Sequence, residues 1–248
     1  MQGSLRRFLG RRLGYAQIGL QNVNRTPSYT YETASSFSLG AQPLFKKENI
    51  TRIYGQIDNA AGKWQLSASY YLVSNLTYFY DYYKTEQAGS LFNVFAVKGE
   101  KTFKVSKHWN WLASLQLNQR LGNGPVNMPL FFTFHRLGYE GNLGFKNLNF
   151  TTGIEARYFT PYKPDGYSPL QSQFYYQDSA QVKLKLPDIT AYLHFRIRSF
   201  VLYLRAENLN TAQIANGGFG WTNNNLAAIG YPTPGFQLRV GIFWSFVN

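Results

Sequence analysis

The chain has 248 residues, a formal net charge of +13, no cysteine and an aromatic content of 18%. The lack of cysteine excludes disulfides, thiolate metal sites and a cysteine nucleophile. Only 15% of the residues are charged, whereas a soluble surface carries about a quarter to a third Lys, Arg, Asp and Glu, so we expect much of the surface to lie outside water. No apolar run approaches the roughly 20 residues of a membrane-spanning helix, and a closed β-barrel is then the only structure that could cross a bilayer.

The amino-terminal segment is rich in arginine and has no apolar stretch, so it is not a secretory signal. Its arginines are Arg6, Arg7, Arg11 and Arg12. A mitochondrial presequence would share this composition, but the segment runs straight into a strand pattern without a linker. We therefore expect either an exported protein whose signal has been removed or a fragment of a longer chain.

Ten segments alternate between apolar and polar side chains, with the two-residue period of a strand that has one apolar and one polar face. The clearest segments are 64–72, 109–118, 148–158, 189–198, 200–207 and 236–246. Noisier segments are 13–24, 50–58, 91–105 and 129–145. A β-sandwich would alternate as well, so the connections between the segments provide a second criterion.

Short and long connections alternate strictly along the chain. The short ones are 59–62, 106–107, 146–147 and 198–199, and the long ones are 25–49, 75–90, 121–128, 159–187 and 209–234. Periplasmic turns and extracellular loops alternate in this way in outer-membrane barrels. The sequence therefore predicts an all-β fold, an antiparallel transmembrane up-and-down β-barrel of about ten strands in a single domain over residues 1–248, with both chain ends on the periplasmic side.

Several segments resemble the C-terminal part of the putative β-barrel porin family of Bacteroidota. They are YEGNLGFKNLNF from Tyr139, GIEARYFTPYKPDGYSP from Gly153, FRIRSFVLYLRAENLN from Phe195 and GYPTPGFQLRVGIFWSFVN from Gly230. Members of that family are considerably longer, which implies that this chain is the C-terminal portion of a longer barrel with more strands. The resemblance implies a fold and a bacterial outer-membrane location, and it carries no motif that assigns a substrate.

Charged side chains on the polar parity are the candidate lining of a lumen. They are Arg52, Arg136, Glu155, Arg157, Arg196, Arg205, Glu207 and Arg239. An excess of arginine would create a positive field that attracts anions. The alternative is a ladder of cross-strand ion pairs that satisfies a crowded interior. We favour the ladder, because Glu155 with Arg157 and Glu207 with Arg205 invite pairing across adjacent strands.

Large aromatic side chains on the apolar parity predict an interfacial belt at the level of the lipid headgroups. They are Trp64, Trp109, Trp111, Trp244 and Phe246. Phe246 lies near the end of the final strand, where we expect the barrel assembly machinery to recognise an aromatic residue. Other aromatic residues fall in the long connections and would stack on sugars, plug the mouth or pack on one another. They are Tyr162, Tyr167, Phe174, Tyr175, Tyr176, Phe219, Trp221 and Tyr231.

These features favour a porin-like channel for passive passage of small hydrophilic solutes, with a weak anion preference. The alternative is a non-conducting barrel that serves adhesion or scaffolding through its extracellular loops. We expect no enzyme activity, catalytic residue, metal or cofactor, although a lipid hydrolase using Ser114 with His194 is a third hypothesis. The expected partners are the lipid bilayer, the assembly machinery and the solutes, and no nucleic acid, because the basic residues form no stripe. The oligomeric state stays open.

Overall fold

The computed structural model describes residues 1–31, 45–82, 84–183, 187–213, 218–219, 226–232 and 234–245. Its main feature is one antiparallel sheet of eleven strands. They are β1 (Gln2–Gly10), β2 (Gly14–Arg25), β3 (Glu48–Asn59), β4 (Trp64–Ser74), β7 (Phe92–Lys104), β8 (Trp109–Leu121), β9 (Phe131–Gly141), β10 (Leu148–Phe159), β13 (Asp188–Ile197), β14 (Phe200–Glu207) and β19 (Gln237–Trp244), and they pair in this order.

The other strands form two-stranded hairpins in the connections. They are β5 (Thr77–Tyr80) with β6 (Lys84–Gln87), β11 (Gly166–Ser168) with β12 (Gln173–Tyr175), β15 (Ala212–Gln213) with β16 (Gly218–Phe219), and β17 (Leu226–Ala228) with β18 (Tyr231–Pro232). Single 3-10 turns cover Tyr29–Tyr31 and Leu209–Thr211. Within the described ranges, no helix has the length and apolarity to cross a membrane.

The sequence predicted ten of the eleven strands and missed β1. Its own pattern does not alternate cleanly, because Arg6 and Arg7 are adjacent and oppose the separation into two faces. Pairing with β2 nevertheless imposes a strand, with Arg6 opposite Gln17 and Phe8 opposite Tyr15. Gly10 and Gly14, with φ of 111° and 77°, close the connection between the two strands, a backbone region that glycine adopts without strain.

The antiparallel all-β architecture is confirmed, but closure into a barrel is not seen. In the described part of the chain, β1 and β19 each pair along one side only. The prediction that both chain ends share one edge is also wrong for the amino terminus. The additional strand makes the number odd, so β1 begins at the edge opposite to the one where β19 ends.

The connections sort by length between the two edges of the sheet. Residues 11–13, 60–63, 105–108, 142–147 and 198–199 form the tight-joint edge. The long-joint edge is the opposite one, where the strands end that the connections 26–47, 75–91, 122–130, 160–187 and 208–236 join. This sorting follows from antiparallel pairing of neighbours in sequence, because each strand reverses the direction of the last. The predicted alternation of short and long connections is confirmed.

The two faces of the sheet differ in chemistry. The register places residues of the same parity opposite each other, so that one face collects the apolar side chains of every strand. This apolar face includes Leu66, Leu115, Ile154, Leu238, Val240 and Ile242, all of which are exposed in the chain alone. The opposite, polar face includes Gln56, Ser67, Gln116, Thr190 and the charged residues described below. An apolar surface of this extent requires an apolar environment.

A small buried core lies at the long-joint edge, on the side of the polar face. Val73 on β4 and Phe92 and Val94 on β7 lie on the polar parity, and Ala88 from the connection 75–91 packs against them. Phe92 is 1% exposed. The connection therefore folds over the polar face rather than away from it.

Candidate functional site

Five charged side chains form a continuous series of ion pairs across the polar face. Glu155 accepts from Arg136 at 2.7 Å and from Arg205 at 2.9 Å. Arg205 also donates to Glu207 at 2.8 Å, and Arg239 donates to the other oxygen of Glu207 at 3.1 Å. We refer to these five residues as the charge ladder. It crosses four of the pairings in the sheet, from β9 to β19.

The register explains the order of the charges. Arg136 stands directly opposite Glu155, and Arg205 stands directly opposite Arg239. Two arginines in opposite positions repel each other, and Glu207 relieves the repulsion by pairing with both. Arg205 reaches Glu155 across β13, where the buried Thr190 lies opposite the carboxylate and leaves room for a long side chain.

Burial within the charge ladder is uneven. The side chain of Glu155 is 6% exposed, whereas those of Arg136 and Arg205 are 46% and 33% exposed. The carboxylate thus depends on its two guanidinium partners for the solvation that it has lost. The guanidinium groups still contact the space in front of the polar face.

The predicted pair of Glu155 with Arg157 is wrong, whereas that of Glu207 with Arg205 is present. Glu155 finds its partners on other strands, and Arg157 lies opposite Phe134 and Asp188. The error has a simple origin, because spacing along one strand does not reveal which arginine a neighbouring strand brings alongside.

Arg52 is satisfied in a different manner in the amino-terminal part of the sheet. Its Nη2 and Nε donate to the hydroxyl of Ser69 at 3.0 and 3.2 Å. Its guanidinium carbon lies 4.6 Å from the ring centre of Tyr54 and 5.5 Å from that of Tyr71. Within the described ranges no carboxylate pairs with Arg52, so its charge is not cancelled by an opposite one.

The eight predicted lining residues all lie on the polar face by register, and five of them meet in the charge ladder. Arg52, Arg157 and Arg196 stand apart from it. Arg196 lies near the tight-joint edge and donates to the carbonyl of Arg198 at 3.2 Å. Arg6 with Asp58 and Lys98 with Glu100 form two further pairs on this face.

Tyrosine side chains lie across strand glycines on the polar face, which the sequence analysis missed. Tyr54 stands opposite Gly19, Tyr203 opposite Gly241, and Tyr192 opposite Gly153. A Cβ on Gly153 would lie 2.7 Å from the Tyr192 hydroxyl and 2.3 Å from the carbonyl oxygen of Leu137. Glycine inside a strand commonly marks such a close approach, and only the register could have paired each one with its tyrosine.

Aromatic rings form a row on the apolar face along the tight-joint edge. Phe103 stacks on Trp111 with 5.1 Å between ring centres, and Tyr139 lies 5.5 Å from Trp109. Phe200 lies 6.1 Å from Trp244 at the end of the sheet. Trp64 follows the tight joint 60–63 at the same edge. The four described members of the predicted belt therefore share one edge, and Phe246 lies outside the described residues.

The sheet separates the residues of the hydrolase hypothesis. Ser114 lies on β8 and His194 on β13, with β9 and β10 between them. His194 contacts the rings of Tyr192 and Tyr203 instead. A nucleophile and its base must lie within hydrogen-bond reach, so the pair of Ser114 and His194 is wrong.

The aromatic residues of the long connections pack on one another. Tyr176 lies 5.7 Å from Tyr78, and Tyr175 lies 4.7 Å from Tyr82. The amide of Tyr176 donates to the carbonyl of Phe79 at 2.7 Å and joins the connections 75–91 and 160–187. Burial and a hydrogen bond to Tyr82 raise the pKa of Tyr175 to about 12. Of the predicted loop aromatics, Trp221 lies outside the described residues.

Comparison with known proteins agrees with this architecture. The profile of a family described as "Putative porin" matches residues 2–248. No curated protein matches the sequence at a significant level.

Among solved structures, the copper transporter OprC is similar over 98% of this chain and 39% of its own, with 16% identity and a TM-score of 0.68. The ferric enterobactin receptor PfeA of Pseudomonas aeruginosa, in complex with enterobactin, is similar over 98% of this chain and 40% of its own, with 13% identity and a TM-score of 0.61. The chain thus spans about two fifths of the solved structures that it resembles. These likenesses concern the fold, and the profile match shows that the chain belongs to the putative porin family.

Proposed function

We propose that the chain forms part of an outer-membrane channel for passive passage of small hydrophilic solutes, with a weak preference for anions. The observation that carries this proposal is the division of one sheet into an exposed apolar face and a charged polar face. In a bilayer the apolar face contacts hydrocarbon and the polar face lines water, as in porins. The row of aromatic rings at the tight-joint edge is the interfacial belt in this arrangement.

Membrane insertion places a condition on the edges of the sheet. Unpaired backbone groups are not tolerated in hydrocarbon, so β1 and β19 each require a strand partner there. Barrels of about eight strands are filled by side chains, whereas about sixteen or more leave an aqueous channel. If further strands complete this eleven-stranded wall, the strand number approaches that of barrels through which solutes can pass.

The charges on the polar face support the anion preference. The two carboxylates of the charge ladder are each shared by two arginines. In the part of the chain that is described, Arg52, Arg157 and Arg196 form no ion pair. Cationic side chains that line a pore raise the local concentration of anions.

Planar-bilayer recording of the full-length protein tests the proposal. We expect discrete conductance steps above the lipid baseline and, in a KCl gradient, a reversal potential displaced toward the chloride equilibrium potential. An inserted, folded protein without conductance would refute the channel, and a reversal potential on the potassium side would refute the anion preference alone.

The packed long connections favour a second candidate, a non-conducting barrel that serves adhesion or scaffolding. The connection 75–91 folds over the polar face, and Leu170 and Phe174 at the long-joint edge are 79% and 59% exposed. The folded connection narrows the mouth of the proposed barrel. The two exposed side chains offer an apolar contact to a partner. Zero conductance, together with a stoichiometric surface partner that is lost when Leu170 and Phe174 are replaced by serine, would favour this candidate over the channel.

A further inference from the structure

A polar pocket lies at the long-joint edge, where the connections 122–130 and 160–187 meet. Its volume is about 350 Å³, and its polar lining consists of Asn118, Gln119, Arg120, Asn127, Tyr162, Lys163 and Gln181. We refer to it as the mouth pocket. Asn118 and Arg120 continue β8 on the parity of the polar face, so the pocket opens toward that face. Its volume suits a small ligand, at the lower end of known binding pockets.

One connection holds the guanidinium of Arg120 in place. Its Nη1 donates to the carbonyl oxygens of Gly124 at 2.6 Å and Val126 at 3.1 Å. Among the residues that the structure describes, no acceptor contacts its Nε or Nη2. An arginine fixed through one nitrogen keeps two parallel N–H donors for a planar carboxylate, the geometry that this side chain recognises best.

Lys163 supplies a second positive charge from the other connection. It lines the same pocket, is exposed, and forms no ion pair with any described residue. No carboxylate belongs to the lining. The lining therefore carries two positive charges and no negative one, an arrangement that favours a bound anion.

The acidic side chain of Asp165 is bound to one of the lining residues. Asp165 accepts from the Nδ2 of Asn127 at 3.0 Å, and the same nitrogen donates to the carbonyl of Gln177 at 2.8 Å. Asn118 is buried, accepts from Gln116 at 2.8 Å and donates to the carbonyl of Pro129 at 3.2 Å. These bonds fix the amides of Asn118 and Asn127, while Gln181 and Tyr162 also line the pocket and carry polar groups that suit the hydroxyls of a ligand.

We propose that the mouth pocket binds a small hydrophilic solute that carries a carboxylate, with a sugar acid as the chemical class that fits best. Arg120 binds the carboxylate through two nitrogens, Lys163 adds a point charge, and the amide and phenol groups contact hydroxyls. Met128 and Pro161 supply apolar walls for the ring of the sugar. This inference rests on the proposed channel only because the channel would provide the water-filled space into which the pocket opens.

Isothermal titration of the full-length protein in detergent micelles tests this proposal, with sodium glucuronate, glucose and inorganic phosphate as probes. We expect saturable binding of glucuronate and at least tenfold weaker binding of glucose, because glucose lacks the charged group that Arg120 and Lys163 would bind. Phosphate should also bind at least tenfold more weakly, since it lacks the ring and its hydroxyls. Equal affinity for glucose or for phosphate would overturn the proposal.

Matched variants locate the binding. Arg120→Gln and Lys163→Gln should each weaken glucuronate binding about tenfold or more, whereas Lys107→Gln in the tight joint 105–108 should leave it unchanged. Lys163→Gln leaves the hydrogen bonds of Arg120 intact, so it decides the matter if Arg120→Gln fails to fold. Unchanged affinity in Lys163→Gln would overturn the proposal. Binding without conductance would refute the channel alone, and conductance without glucuronate binding would refute the pocket alone.

Discussion

The charge ladder and the surroundings of Arg52 satisfy arginines of the polar face in opposite ways. Between β9 and β19, the charge ladder alternates arginine with glutamate, so that most of each positive charge is cancelled at close range. Between β2 and β7, Arg52 is held by the hydroxyl of Ser69 and the rings of Tyr54 and Tyr71. Both arrangements stabilise a cation in a crowded wall. Only the second leaves the charge free to act on a solute.

This difference assigns the stability of the sheet to the charge ladder and the ion preference to Arg52. Mutually paired charges produce a field that decays within a short distance, whereas an unpaired charge acts over about a Debye length, roughly 8 Å at physiological salt. We therefore expect changes in the charge ladder to alter stability above all, and a change at Arg52 to alter the ion preference.

The largest loss of stability should come from a substitution of Gly153, which lies opposite Tyr192 in the half of the sheet with the charge ladder. A methyl group on Gly153 would meet the carbonyl of Leu137 at 2.3 Å, so Gly153→Ala should destabilise the fold by about 3 kcal/mol. Gly99→Ala in the other half is the control, because its Cβ would meet only Leu66 at 3.8 Å. Urea unfolding in detergent, followed by tryptophan fluorescence, measures both. Equal losses of stability in the two variants would contradict the close approach of Gly153 to the carbonyl of Leu137.

Removing the central carboxylate of the charge ladder should have the next largest effect. Glu155→Gln leaves Arg136 and Arg205 without their shared partner and should cost about 2 kcal/mol, less than a fully buried pair because both arginines are partly solvated. Glu100→Gln breaks an exposed pair with Lys98 and should cost less than about 0.5 kcal/mol. The same unfolding measurement compares them. A Glu100 variant as unstable as the Glu155 variant would contradict the role of burial.

Neutralising Arg52 should change selectivity more than stability. Arg52→Gln keeps an amide that can bond to Ser69 and removes the unpaired charge, so the reversal potential in a KCl gradient should move toward the potassium side by a few millivolts. Arg239→Gln, at the end of the charge ladder, should move it less, because Glu207 already offsets that charge. A larger shift of the reversal potential for Arg239→Gln than for Arg52→Gln would contradict the view that Arg52 acts more strongly on a solute.

The smallest effect concerns pH at the mouth pocket. Burial raises the pKa of Asp165, although the bond from Asn127 lowers it in part. As pH falls from 7 toward this raised pKa, protonation removes a negative charge near the pocket, so glucuronate binding should tighten about twofold to fivefold. Titration calorimetry across this range measures it. Asp165→Asn should remove the pH dependence, and an unchanged slope in that variant would assign the effect to another group.

The strands of the sheet could be predicted from the sequence wherever a strand has an alternating pattern of its own. The segment 236–246 alternates so regularly that its strand and apolar face follow from the sequence. β1 could not be predicted in this way, because its partner β2 imposes the strand on residues that do not alternate. Single-sequence patterns do not contain this kind of information.

The same limit applies to the candidate site. The parity placed all eight charged residues on one face, but the partners of Glu155 depend on the register of three separate pairings. The contact of Tyr176 with Tyr78 joins residues almost a hundred positions apart. The mouth pocket likewise combines Arg120 from β8 with Lys163 from the connection 160–187, so no pattern within one segment predicts it.

The strict parity of the wall has a consequence for how the gene can change. Deleting one residue in the middle of β14 would move every following residue of that strand to the other face, carrying Arg205 and Glu207 into hydrocarbon in the proposed channel. Deletion of two residues would shorten the strand and keep its faces. Natural length variation in this protein should therefore accumulate in the long connections, and within the strands it should occur in pairs of codons.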